Sequence, residues 1–262
     1  MVSRFRVATF NLLHGMSLVD GRVSVTELRD AAGALAADVV GLQEVDRCQE
    51  RSGSIDQAEV IADTLGARHW RFVATLHGTP GNGVWAVATD EDAPLADVPS
   101  YGVGLVSRRP VHDWRVLRFP AAPITLPLLA PGGRRLMRVP DEPRLAIAAV
   151  IEGPGGPLTV ITAHLSFVPG WNVRQLRRIA FWARDLPGPR LLLGDLNLPG
   201  RIPPLVSRWT QLARVPTYPV YDPKIQFDHV LGDGIGADAV VGAAALRLRV
   251  SDHRALVVDL DL

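Results

Sequence analysis

Two stretches of this chain follow one order: an apolar run closing on a polar residue, an amphipathic segment, then a second apolar run closing on a polar residue. In the first stretch, Val7-Ala8-Thr9-Phe10 leads to Asn11, and Val39-Val40-Gly41-Leu42-Gln43 leads to Glu44. In the second, Leu158-Thr159-Val160-Ile161-Thr162-Ala163 leads to His164, and Leu191-Leu192-Leu193-Gly194 leads to Asp195. Short apolar runs bounded by turn residues read as buried strands. The segments between them carry helical spacing: Leu28, Ala31, Ala32 and Leu35 within 25–37, and an arginine-bearing amphipathic helix over 172–186. Two sheets packed face to face, with helices outside, bring the polar strand ends together.

The remaining elements fit that frame. Strands are expected over 5–11, 39–42, 71–74, 83–89, 101–107, 144–151, 158–164, 191–197, 227–231 and 255–260, and a helix over 54–65 with Ser54 as its cap. Six prolines between Pro120 and Pro143, with Gly132-Gly133 among them, predict an extended, loop-rich excursion. No stretch reads as a linker, so one domain over 1–262 is expected.

Composition narrows the function classes. A formal net charge of +1 gives no global field to recruit nucleic acid or an anionic membrane, although a local patch is enough for either. Cys48 is the only cysteine, which excludes an intrachain disulfide and a thiolate metal cluster from one chain. The first residues lack the long apolar run of a secretory signal, and no run is long enough to span a bilayer, so a cytoplasmic setting with no membrane insertion is expected. No obligate protein partner is evident.

Asp195 and Asn197 stand two apart, and strand residues two apart face one side. A carboxylate beside an amide suits holding and activating a water next to a phosphate. Asp228 lies in Phe227-Asp228-His229-Val230, and Asp252 and His253 lie in Ser251-Asp252-His253. Each alone fits a turn or a satisfied core position better than a catalytic one. Together the Asn, Glu and Asp oxygens suit a hard cation such as Mg2+ or Mn2+. Two histidines beside them can donate to phosphoryl oxygens or protonate a leaving group.

Thr9-Phe10-Asn11, Leu42-Gln43-Glu44-Val45-Asp46, Tyr101 to Arg108, Thr162-Ala163-His164-Leu165-Ser166, Gly194-Asp195-Leu196-Asn197, Phe227-Asp228-His229-Val230 and Ser251-Asp252-His253 occur in this order. The series resembles the endonuclease/exonuclease/phosphatase superfamily, the deoxyribonuclease I-like phosphoesterases, across 7–260. The resemblance implies a four-layer α/β sandwich of two packed, mostly antiparallel sheets with helices on the outer faces. It also implies Mg2+- or Mn2+-dependent hydrolysis of a phosphoester by in-line attack of water. By motif position, Glu44 would be the main metal ligand, with Asn11 and Asp252 beside it. Asp195 would orient or deprotonate the water, and Asn197 would position it. His253, oriented by Asp228, would hydrogen-bond the scissile phosphate, and His164 would stabilise phosphoryl charge or assist the leaving group.

Two departures narrow the branch. Leu13 stands where members resembling abasic-site endonucleases carry an acidic residue, and His164 stands where they carry tyrosine. In deoxyribonuclease I-like members a glutamate near the 101–108 strand supports the first histidine. No carboxylate lies within that strand here, so the sequence names no partner for His164. Trp171 near Arg174, Arg177 and Arg178 suits base stacking, and equally a packed helix start with a solvated face. Arg174 and Gln175 could instead brace the site from behind. Arg134, Arg135 and Arg138 suit a substrate rim, or a plain surface loop. A phosphodiesterase acting on nucleic acid or a small diester leads these readings. A phosphomonoesterase on a sugar or inositol phosphate, and a non-catalytic phosphate-binding scaffold, stand as alternatives.

Overall fold

The structure, a computed structural model, describes residues 4–80, 85–89, 97–129 and 136–262. Along the chain run β1 (Arg4–Asn11), α1 (Val25–Leu35), β2 (Val39–Arg47), α2 (Gln57–Leu65), β3 (His69–Gly78), β4 (Trp85–Val87), β5 (Ser100–Ser107), β6 (Val111–Phe119), β7 (Thr125–Leu129) and β8 (Leu136–Pro140). There follow β9 (Arg144–Gly153), β10 (Gly156–His164), α3 (Trp171–Trp182), β11 (Arg190–Asp195), α4 (Ile202–Ser207), β12 (Thr210–Gln211), β13 (Asp228–Asp233), β14 (Val240–Leu246) and β15 (Ala255–Asp261). One sheet has the order β14-β15-β1-β2-β5-β3-β4, and the second has β12-β13-β11-β10-β9-β6. Most neighbours are antiparallel. The parallel pairs are β1–β2 and β10–β11, joined across α1 and α3.

Strand alternation builds four layers. In β1, Phe5 and Val7 enter the core between the sheets, while Ala8 and Phe10 face outward against α1 and α2. In β10, Leu158 and Val160 face inward, and Ile161 and Ala163 pack outward against Leu176 and Ile179 of α3. Helix–sheet–sheet–helix order follows from one apolar face per helix and two per strand. Among the described residues, no helix is long and apolar enough to cross a membrane.

Several boundaries differ from expectation for local reasons. Helix α2 starts at Gln57 rather than at Ser54, because Asp56 is the better cap. Its Oδ1 accepts from Ala58 N at 3.0 Å and Glu59 N at 3.1 Å. Helix α1 stops at Leu35, where Ala36 takes a φ of 45°. Helix α3 stops at Trp182 and tightens into a 3-10 turn. The proline-rich excursion contains a two-stranded sheet, β7 with β8, which accommodates Pro127 and Pro140 because both strands are edges. Pro131, Gly132-Gly133, Arg134 and Arg135 lie outside the described residues, as do Gly83 and Val84 of the expected 83–89 strand. Strands β6 and β14 carry no clear apolar alternation in the sequence. Each is an edge strand with mostly half-exposed side chains, so burial imprints little period on it.

Gly194 immediately precedes Asp195, with a φ of 154°. A Cβ there would lie 2.0 Å from the Ala163 carbonyl oxygen on the neighbouring strand. Gly194→Ala is expected to lower stability by about 2 kcal/mol or more, read as a fall in Tm. An alanine variant melting with the wild type would show that the strand has room to shift.

Candidate active site

The inward rows of four strands run out of apolar residues at the same end of the sandwich. Phe5, Val7 and Thr9 are followed by Asn11; Leu158, Val160 and Thr162 by His164; Leu191 and Leu193 by Asp195; and on antiparallel β13, Val230 is preceded by Asp228. Register puts His164 opposite Asp195 and Asp195 opposite Asp228 on adjacent strands. Behind them, buried Gln43 ties the two sheets. It accepts from Thr9 Oγ1 at 3.2 Å and donates to Thr162 Oγ1 at 3.1 Å.

Two site residues are placed by turns of the backbone. Glu44 does not end β2. The strand continues to Arg47, the pairing with β5 shifts register between Leu42 and Val45, and Glu44 has a φ of 54°. This bulge re-aims a side chain that plain alternation would send to the outer face. Asn197 lies beyond the end of β11 with a φ of 49°, so its place does not come from shared strand facing. Its N–H donates to Asp195 Oδ1 at 2.9 Å, and its side-chain amide donates to Leu165 O at 2.9 Å. Ser251 pins the last loop: its hydroxyl donates to Asn11 O at 2.7 Å and accepts from His253 N at 3.0 Å.

A cleft of about 720 Å³ opens over these ends, lined in part by Glu44, His164, Asp195, Asn197, Asp252 and His253. Asn11 and Asp228 stand behind it, both fully or nearly buried. The Asn11 amide donates to Glu44 Oε1 at 3.0 Å and Asp195 Oδ2 at 3.1 Å, while its oxygen accepts from Leu13 N at 3.0 Å. His253 Nδ1 lies 2.9 Å from Asp228 Oδ2. The Nε2 atoms of His164 and His253 lie 3.7 Å and 3.8 Å from Asp195 Oδ2.

The electrostatics separate the two histidines. Burial works against the charged form of His253, but the Asp228 charge and hydrogen bond, with Asp195 and Asp252, push its pKa up to about 10. His164 goes well below the usual histidine range, through burial and then the Arg144 and His253 charges. Burial also raises the Asp195 carboxyl, against the pull of His253. The Glu44 carboxyl is pushed up to about 7 by burial, against the Asn11 hydrogen bond and the His253 charge, with Asp252 and Asp195 adding to the rise.

Among the described residues no carboxylate hydrogen-bonds His164, Asp195 standing off at 3.7 Å; a guanidinium takes the place of the partner that the sequence left unnamed. Arg144 Nη1 lies 3.1 Å from His164 Nδ1. Sequence reasoning assigned Arg144 only to the start of a strand. It also missed His14, Arg51 and Tyr218, all of which line the cleft. Tyr218 packs its ring 4.9 Å from that of His253. The run Leu13-His14-Gly15, with φ of 46°, 46° and 76°, is the one local hint that this turn serves the cleft. Outside the cleft, Gln175 accepts from Ser166 N at 2.8 Å, two residues beyond His164. Arg174 instead lies over Trp171, whose indole donates to Pro120 O. Neither Trp171 nor Arg138 lines the cleft.

The sequence pattern of the Endonuclease/Exonuclease/phosphatase family matches residues 8–253, spanning every one of these site residues. The chain belongs to the endonuclease/exonuclease/phosphatase family. Membership brings with it hydrolysis of phosphoester bonds, in a family generally dependent on divalent metal. The chain is 24% identical over 286 residues to the uncharacterised protein YbhP of Escherichia coli (strain K12), covering 98% of this chain and 96% of that one. An endonuclease/exonuclease/phosphatase structure from Beutenbergia cavernae superposes with a TM-score of 0.66 at 24% identity, over 99% of this chain and 72% of that one. Sphingomyelinase C from Streptomyces griseocarneus superposes with a TM-score of 0.56 at 14% identity, over 98% of this chain and 99% of that one. These likenesses establish the deoxyribonuclease I-like four-layer fold.

Two donor sets in this family member offer themselves to a metal. Ligand atoms of Asp195, Asp228 and His253 lie within 4.8 Å of one another. Asp228 and His253 are already joined by a hydrogen bond, which engages the histidine nitrogen nearest the carboxylates. Glu44 and Asp252 line the cleft, and the Asp252 charge raises the cost of ionising Glu44. Facing carboxylates of this kind, offering only oxygen, fit a hard divalent cation.

The Asp228–His253 pair gives a prediction with a sign. His253 has its folded pKa raised above the unfolded 6.5, so it contributes stability in full below pH 6.5 and loses it as pH rises through about 10. Asp228→Asn is expected to lower the His253 pKa and shift the loss of activity with rising pH toward neutrality. The check is a pH–rate profile together with NMR titration of His253. An unmoved titration would show that other charges hold the imidazolium.

Proposed function

We propose that the chain is a Mg2+- or Mn2+-dependent phosphodiesterase acting by in-line attack of water. The observation that carries this reading is the meeting of two sets of groups at one mouth. Glu44 and Asp252 come from the first sheet and its loop. Asp195, Asn197, His164 and Asp228 come from the second, and His253 reaches across to Asp228. Glu44 and Asp252 would hold the cation, with Asn11 beside them tethering Glu44. When bound, a divalent cation neutralises charge on a phosphoryl oxygen and acidifies nearby water.

The chain's own groups do the rest. Asp195 accepts a proton from the attacking water, and Asn197 fixes that carboxylate through its backbone N–H and helps position the water. His253, held protonated by Asp228, donates to the scissile phosphate as its negative charge grows. His164 supplies a further donor to the phosphoryl group. Phosphoryl transfer depends mainly on positioning and charge, and a cleft with fixed donors on several sides provides both. We take residues 1–262 as one domain, supported by the single core shared between both sheets.

The testing experiment compares rates on bis(p-nitrophenyl) phosphate, single- and double-stranded DNA, RNA, inositol phosphates and a phosphomonoester. Turnover is expected on a diester. A rate falling steeply with salt on nucleic acid would assign a backbone substrate. Turnover confined to monoesters would overturn the diesterase reading, and tight phosphate binding without turnover on any substrate would leave a binding scaffold.

A further inference from the structure

Arg144 begins β9, beside the strand that ends in His164, and it lines the cleft although only 5% exposed. A buried guanidinium has five N–H groups to satisfy. Its hydrogen bond goes to an uncharged ring, 3.1 Å from Nη1 to His164 Nδ1, with Nε2 of that ring farther off at 3.4 Å. The carboxylates of Asp141 and Glu142 stand off at 3.6 Å and 3.9 Å, beyond hydrogen-bond range. Arg144 Nε has no hydrogen-bond partner at all, and neither has Asp141 Oδ1. The other oxygen of Asp141 is occupied by Ala122 N and Ser166 Oγ.

Arg51, the other arginine lining the cleft among the described residues, is in the opposite condition. Asp46 takes its Nε at 2.8 Å and its Nη2 at 2.7 Å, a bidentate pair that spends its donors. Arg144 is therefore the cleft arginine with donors to spare, its charge faced by Asp141 and Glu142 without a hydrogen bond to either. A buried donor left unmade is destabilising, and tetrahedral phosphoryl oxygens match the guanidinium fork.

The same contact fixes a tautomer. Arginine only donates, so Nδ1, the His164 nitrogen nearest to it, accepts; Nε2 stands 3.4 Å from both Arg144 Nη1 and Asn197 Nδ2, the longer and weaker contacts. A neutral His164 then carries its proton on Nε2, the nitrogen near Asp195. The lowered pKa of His164 is in keeping with that neutral form.

We propose that Arg144 is a catalytic residue: its guanidinium holds a non-bridging oxygen of the phosphoryl group under attack, and its contact with Nδ1 sets His164 to donate from Nε2 to that group. The proposal rests on the phosphoesterase reading above. Arg144 transfers no proton. As the water oxygen bonds to phosphorus its proton passes to Asp195, the P–O ester bond breaks, and the ester oxygen leaves as the anion or takes a proton from solvent. The Arg144 guanidinium offsets the negative charge held on the non-bridging oxygen in between. Together with His253 it gives the cleft positive charge on two sides.

The test uses the full-length chain with bis(p-nitrophenyl) phosphate and inorganic phosphate. Arg144→Gln is expected to lower kcat by about 100-fold or more, with Arg144→Lys intermediate. Inorganic phosphate, measured by calorimetry, is expected to bind about tenfold or more weakly to Arg144→Gln. Added guanidinium should restore rate to Arg144→Gly and leave the wild type unaffected, which a purely structural role would not produce. Ring 15N shifts should report the Nε2–H tautomer of His164 in the wild type and its loss in Arg144→Gln. Wild-type kcat and phosphate affinity in a folded Arg144→Gln would overturn the proposal. So would a folded, inactive Arg144→Lys with no guanidinium rescue of Arg144→Gly. A wild type that turns over no ester sinks the phosphoesterase reading instead, and the phosphate titrations still decide whether Arg144 binds the anion.

Discussion

Asp195→Asn is expected to lower kcat on bis(p-nitrophenyl) phosphate by about 10³-fold or more, the scale of losing a general base, while the protein stays folded. Asp195 is 2% exposed and sits at the centre of the cluster. One oxygen accepts from Asn197 N and the other from Asn11 Nδ2. Asparagine has a single acceptor oxygen, so one of those donors would meet an amide NH2. The proton acceptor for water disappears in the same substitution.

The stability result carries equal weight. Burial raises the Asp195 pKa in the folded chain, so the unfolded state gives up this proton first as pH rises. Above that range the ionised carboxylate opposes folding, and a neutral side chain of the same shape relieves it. Asp195→Asn is therefore expected to melt at or above the wild-type Tm at pH 8. Lost activity accompanied by a large fall in Tm would reassign Asp195 to holding the strand ends together. Undiminished turnover would remove it from the mechanism.

Chelation is expected to have the second large effect. EDTA should take hydrolysis to background, and added Mg2+ or Mn2+ should restore it. Glu44 has its carboxyl raised to about 7 by burial and by neighbouring acids, which is the electrostatic setting that a bound cation reverses. A ligand at 100 times its Kd stabilises the folded state by about 2.7 kcal/mol, which shifts Tm by about 5 °C or more in a chain of this size. The wild type should show that shift on adding the cation. Glu44→Gln, with one negative charge removed, should show little of it and little activity. EDTA-insensitive turnover, or a full shift in Glu44→Gln, would contradict the assignment of Glu44 to the cation.

The positions of most site residues were legible because alternation is a local property. Asn11, His164 and Asp195 continue inward-facing rows at a spacing of two, Phe5-Val7-Thr9, Leu158-Val160-Thr162 and Leu191-Leu193, so their side chains enter the gap between the sheets wherever that gap forms. Asp228 and His253 were legible as motifs, and their hydrogen bond is the tertiary realisation of that reading. Glu44 was read as the end of a strand, and it reaches the cleft by another route. A bulge places it, and the residues 42–45 carry no sequence signal for that register shift. Asn197 likewise reaches its place through a left-handed turn after β11.

Arg144 and Tyr218 were not legible at all. Each lies in a proline-bearing segment, Glu142-Pro143-Arg144 and Tyr218-Pro219, that looks like ordinary loop punctuation. Their importance comes from what they touch, a histidine in each case: His164 lies 20 positions from Arg144, and the ring of His253 lies 4.9 Å from that of Tyr218. The edge strands β6 and β14 escaped for a related reason. Their pairing is set by backbone hydrogen bonds to a neighbour, with too little burial to write a period into the side chains.

By itself, the sequence determined the layered fold, the end of the sandwich where polar groups collect, and the family. Those follow from period, order and residue type, all read along the chain. Only the tertiary structure decided the charge state of the site. His164 and His253 are the same residue type and burial works against the charged form of both, yet Arg144 beside His164 adds to that effect while Asp228 beside His253 overcomes it. The physical reason is that protonation depends on burial and on charges a few ångströms away in space, and both are fixed only when distant segments pack.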